Sequence, residues 1–409
     1  MSTKKIILIR LDKIGDLIAT LPADQVFTHA VDEAIASDSP FASDVPFAGD
    51  IQWIVADGLE KIVRYSVPKR AFTVLSLKNK WHSFKKLVAY LIQEKPVLIV
   101  IFYGPAWSYF AGFIARVFLR LQGKNSIMVG RYSQWYSFLF LTTGLRQSRS
   151  LSEKPELQYN IEMTEFAKNY WINNNKDNSC NNKSTAVANT TYNNKTNTDV
   201  GIQFHSQPNY FLKLDSHQIP SYEKLWEKIK TQFQLESKNY VVVHPGMAGS
   251  ALNWPSHRWN ELIQKLIQSH SYDSNFKVVI TGTSLDQKWL DPLRAQWQHH
   301  PKVAWTESAL SFDELLLVLN HSQRTYAPST GVLHLATALG VPVVGIYSPI
   351  LSHHPRRWGP QAPATQDVQV LLPKLEHLTE CPAKSKCLGP ACPEYNCMEK
   401  ISVDSLKLD

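Results

Sequence analysis

The stretch YAPSTGVLHLATALGVPVVGIYSP, residues 326–349, decides the fold of this chain. A predicted strand, Arg324–Ala327, is followed by the turn Pro328–Gly331 and by a helix of small and apolar residues that ends at Gly340. A second apolar strand, Val343–Tyr347, follows at once. The order of strand, turn, helix and strand is that of a parallel α/β unit.

The start of this helix has the composition of a phosphate site. The free N–H groups of the first turn, the hydroxyls of Ser329 and Thr330, and His334 one turn later converge on one spot. Such a site can bind a diphosphate without a Walker lysine. In the alternative interpretation, Ser329 and Thr330 only cap the helix and His334 lies in a hydrated crevice.

Length and composition indicate a globular protein with two domains. The chain has 409 residues, of which 44% are hydrophobic and 19% are charged. Its formal charge of +8 favours anionic partners such as phosphates, a nucleotide diphosphate or an acidic lipid surface. No nucleic-acid-binding motif is present, so we expect no nucleic-acid partner.

The sequence predicts a cytoplasmic protein. The apolar start Ile6–Leu11 is interrupted by Arg10 and followed by Asp12 and Lys13, unlike a secretory signal. No uninterrupted apolar run approaches the ~20 residues that a membrane-spanning helix needs.

Three parts are predicted along the chain. Residues 1–172 have the pattern of an α/β domain, residues 173–199 form a polar, Asn-rich stretch typical of a flexible insertion, and residues 200–409 form a second α/β domain. A cleft between two such domains is a common site for a nucleotide.

Apolar runs predict the other elements. In the first domain these are the strands Lys5–Leu11, Ile51–Ala56 and Pro96–Phe102, a helix from the turn Asp12–Gly15 to about Ala30, and the helices Trp81–Gln93 and Ala106–Leu121. In the second domain they are the strands Tyr240–His244 and Lys277–Thr281, a helix from Ser256 and the helix Phe312–Asn320.

The segment KKIILIRLDKIGDLIATLP, residues 4–22, contains the best candidate for a catalytic base. Its strand delivers Gly15 and Asp16 to the start of a helix, where a carboxylate can accept a proton from a hydroxyl held in the cleft. Alternatively, Asp16 is a first-turn acid favoured only by the helix dipole.

Two further segments are candidates for donor binding. In HPGMAGSALNWPSHRW, residues 244–259, Gly246 allows close backbone approach, and Ser250 and Asn253 can bind phosphate or ribose oxygens. In TGTSLD, residues 281–286, Asp286 follows Gly282 at a helix start. That carboxylate can bind a ribose hydroxyl or be an ordinary N-cap.

Together these three blocks resemble glycosyltransferase family 9, the bacterial heptosyltransferase family. They occur in the family's order, and the resemblance covers nearly the whole chain except the Asn-rich stretch. It implies a GT-B fold, in which two Rossmann-like domains face a cleft. It also implies inverting transfer of a heptose from ADP-heptose to the inner core of lipopolysaccharide.

The resemblance also assigns site residues. The family's catalytic acid matches Asp16, and its donor-binding block matches Ser329, Thr330, Gly331 and His334, with Asp286 at the position of an acidic donor contact. The predicted donor-side residues are therefore Gly246, Ser250, Asn253, Gly282, Asp286, Ser329, Thr330, Gly331 and His334. Lys13, Gly15 and Arg131 are predicted on the acceptor side. The resemblance implies that the acceptor is the lipid A–core oligosaccharide at the inner membrane.

Two positions depart from the family pattern. Many members have Asp-Thr-Gly where this chain has Ser329-Thr330-Gly331, and many have a basic residue where this chain has Leu252. One carboxylate and one cation are lost together, so the local charge stays about the same. The alternatives are transfer of a different sugar, or a catalytically silent protein that binds a sugar nucleotide.

No cofactor is predicted, because no Asp-x-Asp metal clamp occurs in the chain. Cys381, Cys387, Cys392 and Cys397 are the candidate ligands of a structural zinc. Their spacings are wider than the Cys-x-x-Cys pairs of common zinc sites, so the prediction is no metal.

Two more features have open interpretations. Residues 80–93 and 107–121 mix aromatic, apolar and basic side chains, and such helices either lie on an anionic membrane or pack in a core with a solvated basic face. A basic group after the last strand of the opening segment either contacts phosphates or is a solvated loop; its members are His353, His354, Arg356 and Arg357.

Overall fold

The computed structural model describes residues 4–27, 49–176, 212–214, 219, 221–247 and 252–408. Two parallel six-stranded sheets organise these residues. Each sheet belongs to one half of the chain, as the sequence predicts.

The first sheet is built from β1–β6 in the order β3-β2-β1-β4-β5-β6, and every pair is parallel. Its strands are β1 (Lys4–Arg10), β2 (Gly49–Ala56), β3 (Ala71–Leu75), β4 (Leu98–Tyr103), β5 (Ile127–Arg131) and β6 (Thr143–Leu145). Its helices are α1 (Ile14–Ile18), α2 (Glu60–Arg64), α3 (Lys80–Glu94), α4 (Ala106–Leu121), α5 (Trp135–Phe140) and α6 (Glu156–Lys176). The two central strands, β1 and β4, have continuous buried apolar runs at Ile6–Ile9 and Leu98–Phe102, as expected for a parallel sheet covered on both faces.

The second sheet is built from β7–β12 in the order β12-β11-β10-β7-β8-β9, again all parallel. Its strands are β7 (Tyr240–Val243), β8 (Lys277–Ile280), β9 (Val303–Trp305), β10 (Thr325–Pro328), β11 (Val343–Ile346) and β12 (Val368–Leu371). Its helices are α7 (Tyr222–Phe233), α8 (Ser256–Ser269), α9 (Gln287–Trp297), α10 (Phe312–Asn320), α11 (Gly331–Ala338) and α12 (Pro355–Trp358). None of the helices in the described ranges is long and apolar enough to cross a membrane.

The predicted first helix is wrong in length. α1 ends at Ile18, and a 3₁₀ helix, Leu21–Phe27, follows it, while Ala30 lies outside the described residues. Pro22 has no N–H to continue the α-helical ladder, and the Thr20 hydroxyl instead donates to the carbonyl of Asp16 at 2.6 Å.

The boundary at residue 172 falls inside α6, which continues to Lys176 and packs on the first sheet. The remaining residues of the predicted insertion, 177–199, lie outside the described part of the chain. The division into three parts therefore stays a prediction.

The two domains meet through their helix starts. α1 follows β1 at the carboxyl edge of the first sheet, α11 follows β10 at the carboxyl edge of the second, and the two helices pack together. A Cβ atom added to Gly15 would lie 2.5 Å from Cδ2 of His334, and one added to Gly331 would lie 3.2 Å from Cβ of Ile14. Glycine at these positions allows the two helix starts to touch.

A second contact joins the domains away from this point. Lys61 and the Tyr65 hydroxyl of the first domain donate to the Asp313 carboxylate at the start of α10, at 2.7 and 3.0 Å. The Ser152 hydroxyl donates to the carbonyl of Leu351 at 2.5 Å. In the described residues the two domains are therefore in direct contact at these positions as well as at the helix starts.

Replacing Gly15 with Ala should destabilise the protein by about 1–3 kcal/mol, because the new methyl group cannot fit against the buried His334 ring. Urea unfolding of the variant and the parent measures the loss. The matched background is His334→Ala, which removes the ring. There Gly15→Ala should cost less, and an equal cost in both backgrounds would contradict the contact.

Candidate active site

Asp16 lies in the first turn of α1, where Arg10 holds it. Arg10 is the last residue of β1 and is 2% exposed; its Nη2 donates to Oδ1 of Asp16 at 2.5 Å. The same guanidinium donates to both carboxylate oxygens of Asp12, at 2.6 and 2.9 Å. Burial lowers the pKa of Arg10, but the charges of Asp12, Asp16 and Glu156 outweigh it and raise that pKa above its usual value. The Asp16 carboxylate is therefore oriented by a fixed positive charge.

Behind Arg10 lies Glu156, a buried carboxylate surrounded by guanidinium groups. Arg149 pairs with Oε1 of Glu156, Arg357 donates to Oε2 at 2.8 Å, and Nη1 of Arg10 lies 3.8 Å from Oε1. Burial acts to raise the pKa of Glu156, but Arg149, Arg10 and Arg357 together hold it below its usual range. Because Arg357 belongs to the second domain, this cluster ties the domains together beside Asp16.

Arg131, predicted on the acceptor side, ends β5 close to this cluster. Burial lowers the pKa of Arg131, and its buried Nε has no hydrogen-bond partner in the structure. The buried Nη1 of Arg10 also makes no hydrogen bond. These two N–H groups have unused capacity for an anionic or hydroxyl-rich ligand. Lys13, the N-cap residue of α1, is exposed at the same edge.

His334 connects the base to the donor side. Its ring lies against Gly15 and is 8% exposed. Burial lowers the pKa of His334 to about 4, although the nearby Asp16 acts to raise it. The imidazole is therefore neutral near pH 7, where it acts as a hydrogen-bonding group and not as a cation.

The start of α11 has unused polar groups. Thr330 is the N-cap residue, but its side chain makes no capping hydrogen bond, and its buried Oγ1 has no partner. The first N–H groups of a helix have no intrahelical acceptor. The interpretation in which Thr330 merely caps the helix is therefore not supported, and a ligand oxygen would satisfy these groups.

A second group of predicted donor residues follows β7 and β8 at the same sheet edge. Asp286 accepts from the N–H and the hydroxyl of Thr283, both at 2.9 Å, in a capping box. Gly246 lies against this carboxylate, because an added Cβ would lie 2.4 Å from Cγ of Asp286. Asp286 is thus the third helical residue of a capping box whose N-cap residue is Thr283, and a donor contact stays a prediction.

Three other predicted donor residues differ in what the structure shows of them. The Asn253 side chain donates to the carbonyl of Pro245 and accepts from the N–H of Trp254, both at 2.7 Å, so it shapes the loop. Gly282 packs tightly against Leu290. Ser250 lies outside the described residues.

The sequence analysis missed Arg10, Asp12, Arg149 and Glu156. Only Arg10 carried a usable signal, since a cation at the end of the buried run KIILI needs a partner. Arg149 and Glu156 come from an ordinary-looking polar stretch. Arg357 was expected to contact phosphates or lie in a solvated loop, and it binds Glu156 instead.

The four C-terminal cysteines surround a different cavity, of about 160 Å³, within the second domain. All four thiols are free, and burial with the neighbouring thiols raises the pKa of Cys397 to about 11. Within the described ranges no three His, Cys, Asp or Glu side chains are grouped to hold a metal ion. The absence of a structural zinc stays a prediction, and the lining of the cavity does not include Asp16.

Known proteins resemble this chain in sequence and in fold. The model of glycosyltransferase family 9 (heptosyltransferase) matches residues 173–387, just over half of the chain. A Haemophilus influenzae protein named only provisionally as a glycosyltransferase is 29% identical over 150 residues. That match spans 37% of this chain and 39% of the relative's length.

Three solved structures share the fold. A glycosyltransferase family 9 protein from Veillonella parvula has a TM-score of 0.62 at 15% identity, covering 90% of this chain and 86% of the other. The Escherichia coli ADP-heptose lipopolysaccharide heptosyltransferase II has a TM-score of 0.57 at 14% identity, covering 90% of both chains. An E. coli heptosyltransferase solved with ADP has a TM-score of 0.55 at 13% identity, covering 98% of this chain and 97% of the other.

These likenesses confirm the predicted GT-B arrangement of two Rossmann-like domains. The family model covers the segments from which the donor side was predicted, including the start of α11. The chain therefore belongs to glycosyltransferase family 9 and is a glycosyltransferase.

Proposed function

We propose that this enzyme transfers a heptose from ADP-heptose to the inner core of lipopolysaccharide, with inversion at the anomeric carbon and with Asp16 as the general base. The observation that carries the proposal is the meeting of two helix starts. Asp16, on α1, lies next to His334 and the unsatisfied start of α11. A base and a diphosphate site are thus adjacent, one on each domain.

The proposed reaction is a single displacement. Asp16 removes the proton from an acceptor hydroxyl while that oxygen attacks the anomeric carbon, and the nucleotide diphosphate leaves from the opposite face. A glycosidase needs a second carboxylic acid because its leaving group is an alkoxide. A diphosphate leaves as a stable anion, so electrostatic support is enough.

The chain's own groups supply that support without a metal in our proposal. The N–H groups at the start of α11 and the Thr330 hydroxyl face the diphosphate, and neutral His334 offers a hydrogen bond. Arg10 keeps the Asp16 carboxylate in one orientation. No Asp-x-Asp clamp is present in the sequence, which favours a metal-independent reaction.

The donor assignment is supported by fold neighbours. One E. coli heptosyltransferase was solved with ADP and also with ADP-2-deoxy-2-fluoro heptose. Leu252, which replaces a cation found in many relatives, packs against the core of the second domain and lines the cysteine cavity. Together with Ser329, this substitution keeps a different donor sugar as the alternative.

The acceptor in this proposal is the lipid A–core oligosaccharide, which is anchored in a membrane. The enzyme would therefore work in the cytoplasm at the surface of the inner membrane. Arg131 and Arg10, with their unused N–H groups, would face the acceptor.

Replacing Asp16 with Asn should lower kcat at least 100-fold, because the amide keeps the shape of the side chain and cannot take the proton. Donor affinity, measured by calorimetry, should change little. Asp291→Asn, at an exposed acid on α9, is the matched control and should retain full turnover. Full activity of Asp16→Asn would remove Asp16 from the mechanism.

A titration with ADP-heptose, ADP, UDP-sugars and GDP-sugars should show selective thermal stabilisation by the first two ligands. The same stabilisation should persist in excess chelator, because the proposed diphosphate site uses only protein groups. Selectivity for UDP- or GDP-sugars would replace the named donor. Binding without transfer to any core acceptor would favour a silent scaffold.

Acidification should destabilise the protein through His334. Its pKa is about 4 in the folded protein and near 6.5 when unfolded, so between these values only the unfolded chain takes up the proton. The free energy of unfolding should fall by up to about 3 kcal/mol from pH 6.5 to pH 4 on this account. The difference between the parent and His334→Gln isolates the effect. His299→Gln, at an exposed histidine, should follow the parent.

A further inference from the structure

The outer side of α4 is apolar although it faces solvent. Phe110, Ile114, Val117 and Leu121 recur at helical spacing along this side, and Leu121 is 83% exposed. At 1.5 Å per residue the row is ~16 Å long. A core helix with a solvated basic face, the alternative interpretation of this stretch, would expose polar side chains here instead.

Aromatic side chains extend this row across both neighbouring helices. Trp81 of α3 stacks on Phe84 with ring centroids 5.5 Å apart, Phe84 stacks on Phe110 at 5.7 Å, and Phe110 contacts Phe140 of α5 at 5.4 Å. Trp81 and Trp135 are 66% and 74% exposed. We call this surface the outer aromatic face; its exposed members are Trp81, Phe110, Ile114, Val117, Phe118, Leu121, Trp135, Phe138 and Leu139.

The part of the chain that carries this face is rich in positive charge. Of the 43 Lys and Arg residues, fifteen lie between residues 61 and 152, against a single one, Glu94, of the 35 Asp and Glu residues. The rest of the chain therefore has more acids than bases. Glu94 itself is paired with Lys5. Exposed cations such as Lys85, 5.2 Å from the centre of the Trp81 ring, and Arg120 flank the apolar row.

We propose that the outer aromatic face docks on an anionic lipid bilayer. Exposed aromatic and aliphatic side chains would enter the headgroup region, and the flanking cations would pair with acidic headgroups. Charge decides between this occupant and a second copy of the chain. Two copies that met through this face would bring two basic surfaces together, and the repulsion between them would oppose self-association.

The outer aromatic face lies close to the proposed acceptor site. This part of the argument for a bilayer rests on the proposed function, in which the acceptor is anchored in a membrane. α5, which carries Trp135 and Phe138, begins four residues after Arg131. An acceptor bound near Arg131 and Asp16 would therefore have its lipid end beside the face. The row along α4 also starts at the catalytic edge of the sheet, since α4 follows β4.

Flotation of the full chain with phosphatidylcholine vesicles, with and without phosphatidylglycerol, tests the proposal. The parent should bind the anionic vesicles and bind neutral vesicles weakly. The triple variant Ile114→Ser, Val117→Ser, Leu121→Ser and the charge variant Lys85→Glu, Arg120→Glu should each lower the partition coefficient about tenfold or more.

Matched controls lie on the second domain. Tyr272→Ser with Leu285→Ser changes apolar residues that are 84% and 82% exposed, and Lys224→Glu with Lys374→Glu changes two exposed cations. Both controls should bind like the parent, and thermal unfolding should show that every variant is folded. A parent that ignores anionic vesicles, or face variants that bind as well as the parent, would overturn the proposal.

Two further measurements separate this proposal from others. A dimer in sedimentation that the triple variant dissociates, without vesicle binding, would assign the face to self-association and overturn bilayer docking. Transfer to a water-soluble core fragment lacking acyl chains needs no bilayer. The face variants should retain that turnover, so failure of docking and failure of the proposed reaction are distinguishable.

Discussion

The arrangement of the cleft depends on one buried carboxylate, Glu156. It is held by Arg149 and Arg10 of its own domain and by Arg357 of the other. Loss of a partner from such a cluster leaves uncompensated charge in a dry environment, which typically costs 3–5 kcal/mol. Separating the two domains at this point would therefore cost electrostatic free energy. Arg10 joins the same cluster to Asp16, so the orientation of the proposed base depends on it as well.

Much of the fold could be predicted from local sequence. The bounds of α10 were predicted as observed from its apolar run, and in the structure Ser311 and Glu314 form a capping box at its start. The end of α11 was predicted from the glycine at position 340, and in the structure Gly340 adopts a positive φ of 75° just after the helix. β1, β4 and β7 were predicted because strands buried on both faces are continuous apolar runs.

The charged cluster could not be predicted in this way. Its members lie at positions 10, 149, 156 and 357, and only the packing of two domains brings them together. Local reasoning also left two interpretations of Asp286, and the structure shows its hydrogen bonds to Thr283 in a capping box, while a donor contact stays a prediction. The reverse happened at Thr330, where residue type suggested a cap and the structure left the hydroxyl without a partner. Side-chain type predicts what a residue can do, and long-range packing selects among these possibilities.

The contact between Gly15 and His334 has a kinetic consequence. The two domains touch there so closely that not even one methyl group fits between them. A sugar nucleotide cannot pass through this contact while it persists. Any domain motion that separates α1 from α11 would have to break this contact, and the rate of such a motion would then limit the exchange of donor and product.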